Sequence, residues 1–266
     1  MEYELGFLGA GQMAEAIARA AIQGNVLSPA QIIASDPAAD RRSVFAQLGV
    51  ATSNSNSQVV QGSRHVLVAV KPQTLDQLAP ALVDLDVADQ IVMSIMAGIT
   101  IARIEKTILR AARIVRIMPN TPVMAGCGMA AIALGLHARA GDDELAMRLF
   151  SAAGEAIQVD EAMMDAITAV SGSGPAYVFY LAEGLEQAAA QLGLSSHARM
   201  LVRQTILGAA KLMERKDMSP AELRRQVTSP GGTTEAAVNH LDGNATMDVI
   251  VNAVKAAAQR SRQLGS

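Results

Sequence analysis

The segment Gly9-Ala10-Gly11-Gln12-Met13-Ala14 constrains the fold more than any other stretch of the chain. It is a G-x-G-x-x-A pattern that directly follows a short apolar run at 4–8 and opens a helical pattern at 13–23. A strand–turn–helix unit gives all three small residues a role. Gly9 permits a tight turn, Gly11 lets a pyrophosphate approach the backbone, and Ala14 lets the helix pack close on the strand. The helix N-terminus then offers unpaired N–H groups and positive potential to phosphate oxygens. The pattern predicts a sheet built to hold a dinucleotide.

The rest of the first half agrees. Apolar runs at 31–34, 66–70, 91–95, 113–118 and 129–134 alternate with helical patterns at 40–48, 101–109 and 142–153, and a run at 156–159 closes the series. Strand-sized runs separated by helices predict a parallel sheet with right-handed crossovers. Their unbroken apolar character predicts strands covered on both faces. After about residue 160 only helical patterns remain, at 175–192, 198–215, 234–241 and 247–262. Ser173 and Ser196 are candidate helix caps, and Ser219-Pro220-Ala221-Glu222 has capping-box spacing with proline at the first helical position. The expected class is α/β: an N-terminal Rossmann dinucleotide-binding domain at 1–160, then a C-terminal all-helical dimerisation domain at 161–266. Helices that are apolar on more than one face need more than one neighbour, which points to dimerisation, with a compact monomeric bundle as the alternative.

Composition excludes several functions. Net charge is −3 and 18% of residues are charged, so nothing points to nucleic acid or a membrane surface. No apolar run reaches the ~20 residues of a membrane helix. The single cysteine, Cys127, rules out an intramolecular disulfide. Together with the acidic start Met1-Glu2-Tyr3-Glu4, this predicts a cytoplasmic protein. His65, His137, His197 and His240 lack metal-ligand spacing, so no metal is expected.

Further candidates sit where strands should end. Ser35 and Asp36 close the second run, with Arg41 and Arg42 just beyond. An acid there binds a ribose 2′-hydroxyl and favours NAD, whereas polar and basic groups receive a 2′-phosphate. Asp36 reads equally well as a turn residue before Pro37. Ala69-Val70-Lys71-Pro72, Ala97-Gly98 and Met118-Pro119-Asn120-Thr121-Pro122 follow later runs, at the strand ends where such sheets bind ligands. In the second half, Ser171-Gly172-Ser173-Gly174-Pro175 and Ser229-Pro230-Gly231-Gly232-Thr233-Thr234 are glycine-rich helix starts. The latter is the best candidate for gripping a small carboxylate through backbone N–H groups.

Taken together, five segments resemble the pyrroline-5-carboxylate reductase family along nearly the whole chain. They run from Gly6 to Ile17, Ala69 to Gln73, Arg116 to Pro122, Val170 to Phe179 and Val227 to Ala236. The resemblance implies formation of L-proline from 1-pyrroline-5-carboxylate with NADPH, and a homodimer, often assembled further into five dimers. It places Gly9, Ala10, Gly11, Gln12, Met13, Ser35, Asn56, Ala69, Val70, Lys71, Pro72, Ala97, Gly98 and Asn120 on the cofactor side. Ser35 and Asn56 match positions near the 2′-phosphate, while Asp36 keeps NADH open. Glu161, Gly231, Gly232, Thr233 and Thr234 fall on the substrate side, with Thr234 nearest the imine nitrogen as the catalytic hydroxyl. Structural capping is an equal reading of Glu161. The chain departs from the family at Cys127, where a glutamate is common. The rivals are a β-hydroxyacid dehydrogenase, which needs a lysine that the 175–210 stretch lacks, and a non-catalytic NADP-binding regulator.

Overall fold

In the computed structural model, which describes residues 1–214 and 217–265, eight strands form one sheet in the order β3-β2-β1-β4-β5-β6-β7-β8. The strands are β1 (Tyr3–Leu8), β2 (Ile32–Ser35), β3 (Ala51–Ser53), β4 (Ser63–Val68), β5 (Ile91–Ser94), β6 (Arg113–Pro119), β7 (Gly128–Leu134) and β8 (Gly154–Gln158). The crossovers carry α1 (Gln12–Gln23), α2 (Ala39–Gln47), α3 (Asn56–Gly62), α4 (Ala79–Leu82), α5 (Ile101–Ile108) and α6 (Glu144–Ser151). The strand order reverses at β1, which pairs with β2 on one side and β4 on the other. Such a reversal leaves a crevice at the carboxyl ends of the strands.

The apolar runs become strands because helices cover both faces. Leu5 and Phe7 enter the core cluster that α1 joins through Ala14, Ile17, Ala18 and Ala21. Leu8, Val66, Val68 and Val92 enter a second cluster, with Ile104 and Ile108 of α5. Phe7 meets Phe45 of α2 edge to face, with centroids 5.7 Å apart. Each large side chain so buried contributes roughly 2 kcal/mol.

The sheet is not wholly parallel. β7 runs antiparallel to β6 and parallel to β8. Only the 120–127 segment joins β6 to β7, and a parallel neighbour needs a crossover of about a dozen residues or more. Besides the short α4 and a one-turn helix at 164–167, β3 and α3 are absent from the sequence reading. β3 ends in, and α3 begins in, the polar stretch Thr52-Ser53-Asn54-Ser55-Asn56-Ser57, which carries no hydrophobic period. α3 starts instead on a cap, the Ser55 side chain accepting from the Gln58 N–H.

Beyond β8 the described residues contain no strand. α7 (Met164–Ile167) leads into a π turn, Thr168–Gly172, before α8 (Gly174–Gln191). Ser173 does not cap α8: its backbone is right-handed helical and its N–H donates to the Thr168 carbonyl, closing the π turn. There follow α9 (Ala198–Met213), α10 (Pro220–Gln226), α11 (Thr233–Gly243) and α12 (Thr246–Gly265). The expected helix to residue 215 ends on a residue outside those described. His197, not Ser196, sits at the α9 N-cap, and Ser196 Oγ bonds the His197 ring. The Ser219 capping box is present as expected. No helix of the described residues is long and apolar enough to cross a membrane.

The chain divides into two compact units. One holds Met1–Ser173 and the chain from residue 257 onward, and the other holds Gly174–Ala256. The first has an extensive buried core. In the second, α8 and α11 have no buried residue, and Phe179, Tyr180, Leu181, Val249 and Ile250 are exposed.

Candidate active site

The fingerprint loop crosses the carboxyl end of β1. Gly9 has φ +98°, and a Cβ there would lie 2.9 Å from the Ala69 carbonyl oxygen. No other residue fits that backbone next to a neighbouring strand end. Gly11 is small for a different reason. Its φ of −67° suits any residue, and a Cβ there would meet no atom of the chain within 4 Å. The room at Gly11 is thus not used by protein packing, which is the cradle a pyrophosphate requires. α1 begins at Gln12 without a side-chain cap, so its first-turn N–H groups, Gln12 and Met13 among them, lack intrahelical partners.

The loop is braced from β2 and α2. The Ala10 N–H donates to Asp36 Oδ2 at 2.9 Å, and the Ala38 N–H donates to Asp36 Oδ1 at 2.9 Å. Arg41 Nε donates to the Ala10 carbonyl at 2.7 Å, and its Nη2 reaches Glu15 Oε2 at 2.9 Å. Burial would raise the Glu15 pKa, but hydrogen bonds from Arg41 and Arg19 outweigh it and hold the carboxyl below its usual range. Arg42 donates to the carbonyls of Asp36 and Pro37. Arg41 and Arg42 are therefore engaged with the loop and the β2 turn rather than forming a solvated face.

Ser35 and Asn56 come together, with the Ser35 hydroxyl donating to Asn56 Oδ1 at 2.6 Å. The Asn56 amide nitrogen has no partner among the described residues and is left as a donor. The other turns stand at the same edge of the sheet. Ala69 follows β4, its N–H donating to the Leu8 carbonyl. Lys71 is exposed, and its carbonyl receives both the N–H and the hydroxyl of Thr74. Ala97 is exposed and Gly98, at φ +75°, lies against Leu264. Asn120 follows β6 with both ends of its side chain occupied. Oδ1 accepts from the Met129 N–H at 2.9 Å, and Nδ2 donates to the carbonyl and hydroxyl of Ser171. Asn120 ties two of the sequence motifs together rather than extending a free amide.

Glu161 is engaged too. Its Oε1 accepts from the Ile101 N–H at 2.8 Å, capping α5, and from Arg116 Nη1 at 2.9 Å. Arg116 is 4% exposed, so removing Glu161 would strand a buried charge. The geometry favours the capping reading of Glu161. Arg116 opens the Arg116–Pro122 segment, and the sequence reading gives it no role. An arginine inside an otherwise apolar strand was the available signal.

In the second unit, the Ser229–Thr234 segment forms a tight turn, in which Gly231 has φ +71° and the Gly232 N–H donates to the Ser229 carbonyl. Gly232 is the N-cap of α11 and supplies no side chain to it. The Gly231 N–H is taken by Glu235 Oε2 at 2.8 Å. The donors left for an anion are therefore the first-turn amides from Thr233 onward and the threonine hydroxyls. Thr233 is exposed and Thr234 half-buried.

A family model for pyrroline-5-carboxylate reductase dimerisation matches residues 161–264. A second, for NADP oxidoreductases that are coenzyme F420-dependent, matches residues 4–98. The pyrroline-5-carboxylate reductase of Synechocystis sp. is 40% identical over 100% of this chain and 99% of its own. The chain belongs to the pyrroline-5-carboxylate reductase family. Solved members of the family share its fold over the full length. The reductase of Coxiella burnetii superposes with a TM-score of 0.90 at 34% identity, covering all of both chains. The Plasmodium falciparum enzyme, solved with NADP bound, superposes with a TM-score of 0.86 at 29% identity and the same coverage. Family membership also accounts for the exposed apolar faces of α8 and α12, which fall within the dimerisation match.

Proposed function

We propose that this protein reduces 1-pyrroline-5-carboxylate to L-proline with NADPH, as the last step of proline formation. The observation that carries this reading is the full-length match to named reductases with both glycine-rich helix starts intact. The nucleotide function falls to residues 1–160, and the substrate and dimer functions to 161–266, a division supported by the family match that begins at 161.

The residues fit the cofactor. Gly11 leaves room for a pyrophosphate, the uncapped start of α1 offers it N–H groups, and Asn56, held through its Oδ1 by Ser35, offers its amide nitrogen to a 2′-phosphate. Ala69, Val70, Lys71, Pro72, Ala97, Gly98 and Asn120 line the same strand ends. The nicotinamide, when bound, supplies the hydride. The chain's own residues must grip and orient the imine. The amides at the start of α11 hold the substrate carboxylate, and Thr234 orients the ring nitrogen through its hydroxyl. A neutral threonine is a poor acid, so the iminium proton comes with the substrate or from water. The family's dimer is adopted through the exposed helices of the second unit, and five such dimers form the full assembly in a cytoplasmic setting. The dehydrogenase alternative finds no lysine between 175 and 210 to act as its acid or base.

The test is loss of NADPH absorbance with racemic 1-pyrroline-5-carboxylate, NADH in parallel, and proline measured as product. Turnover yielding proline supports the assignment. NADPH binding without turnover returns the chain to the regulator reading.

A further inference from the structure

Asp36 is the one acid at the strand end where such folds read the ribose, and each of its carboxylate oxygens already holds a backbone N–H. Oδ2 receives the Ala10 N–H and Oδ1 the Ala38 N–H, both at 2.9 Å. Across the same loop residue, Arg41 grips the Ala10 carbonyl at 2.7 Å and is itself anchored on Glu15 at 2.9 Å. Glu15 is held from its other side by Arg19. Ala10 is therefore fastened at both its N–H and its C=O by charged side chains. Ala10 is buried, and the Arg41 and Glu15 side chains are 26% and 22% exposed. Charge-assisted hydrogen bonds in such partly dry surroundings are stronger than neutral ones.

Glycines flank this residue on both sides, and a Gly-Ala-Gly segment left to itself samples many backbone states. Fixing Ala10 fixes the path of the chain into Gly11 and aims the following amides. The order is set before any ligand arrives, so the entropic cost of forming the pyrophosphate cradle is borne by folding. The clamp's hydrogen bonds run to the backbone of Ala10 and Ala38 and between Arg41 and Glu15. The donor left open at this strand end is the Asn56 amide nitrogen, its Oδ1 being held by the buried Ser35 hydroxyl.

We propose that Asp36, Arg41 and Glu15 form a clamp on Ala10 that presets the pyrophosphate loop equally for NADPH and NADH, and that Asp36 does not choose between them. The inference rests on the cofactor reading above and assigns these three as positioning residues. It separates two functions that one acid combines when it reads the ribose directly: loop shape belongs to the clamp, and discrimination to Asn56 as oriented by Ser35.

The experiment is a fluorescence titration of each reduced nicotinamide nucleotide into the purified full-length protein, without substrate, for wild type, Asp36→Asn, Arg41→Gln and Ser35→Ala. Asp36→Asn and Arg41→Gln each raise Kd for NADPH and NADH by the same factor, about tenfold for loss of one charge-assisted bond. The ratio of the two Kd values stays put, and in turnover the loss falls on the cofactor KM more than on kcat. Ser35→Ala moves the ratio instead, weakening NADPH alone. Arg41→Lys recovers part of the loss, because an ammonium still reaches the Ala10 carbonyl or Glu15 but not both. A change in the Kd ratio with Asp36→Asn, NADPH tightening as NADH weakens, overturns the proposal, as does an unchanged Kd in both clamp variants. Should Asp36→Asn fold poorly, Asp36→Ser read by the same Kd ratio carries the test. Wild type that binds neither nucleotide would instead sink the cofactor reading itself.

Discussion

Gly9 and Gly11 stand two residues apart and are glycine for unlike reasons, which makes them separable by experiment. At Gly9 the positive φ and the nearby Ala69 carbonyl both forbid a side chain. At Gly11 the backbone is ordinary and the surrounding space empty of protein. Gly11→Ala should therefore melt at the wild-type temperature while weakening NADPH by tenfold or more in a fluorescence titration. A drop in melting temperature would show that packing, not the ligand, demands the glycine. Thr234→Ala should lower kcat/KM for the imine by roughly 10–100-fold, the value of a hydrogen bond to a charged group. Full retained activity would remove Thr234 from the chemistry. A third prediction concerns pH and the Arg113–Asp142 pair beneath the sheet, whose side chains are 15% and 3% exposed. Burial alone would raise Asp142, but Arg113, the Arg139 N–H and the Arg139 charge outweigh it and lower its pKa. A lowered folded-state pKa stabilises fully above the unfolded value of about 3.9 and is lost as pH falls through the folded value. Asp142→Asn should cost about 3 kcal/mol in urea unfolding at pH 7. The deficit should shrink as acid protonates the wild-type carboxyl.

At the scale of elements, the sequence was legible wherever a hydrophobic period was present. β1, α1, β5, α8 and α11 fall within a residue or two of where their apolar spacing puts them, whereas α12 runs to Gly265, three residues past the reading, and α7 was not read. β3 and α3 were not legible, because an edge strand and a capped helix in a serine- and asparagine-rich stretch owe their existence to neighbours. The direction of β7 was hidden for another reason: strand patterns carry no sense of direction, and only the shortness of the 120–127 segment gives it away. Ser173 misled because a serine between glycines reads as a cap, while the preceding π turn depends on tertiary contacts. One of these contacts is the close approach of the Met118 methyl to Gly172. At the site, residue types and order were readable, but partners were not. That Asp36 spends itself on Ala10, that Asn120 is consumed by Met129 and Ser171, and that Glu161 finds Arg116 are facts of three-dimensional proximity. The capping box is the reverse case, local enough to be read directly. Ser219→Ala should cost about 1 kcal/mol by thermal melting and leave nucleotide Kd values alone, since α10 lies in the other compact unit.

For the whole molecule, the contrast between the two units sets the stability. The first has its own buried core, whereas α8 leaves Phe179, Tyr180 and Leu181 exposed and α12 leaves Val249 and Ile250 exposed. Apolar surface on that scale needs a partner in water, and the dimerisation match supplies a second copy. The melting temperature should therefore rise with protein concentration. Ile250→Asp should give a monomer by light scattering that melts lower and loses most turnover. An Ile250→Asp protein that stays dimeric and active would place the interface on other helices. The reversal between β6 and β7 has a practical side as well. Because β7 starts at the edge where β6 ends, the turn carrying Cys127 is delivered to the nucleotide-facing rim of the sheet. Cys127 is the sole cysteine of the chain and is exposed. A maleimide dye would attach there once per chain with no prior mutagenesis, a built-in optical reporter at the rim where the cofactor docks.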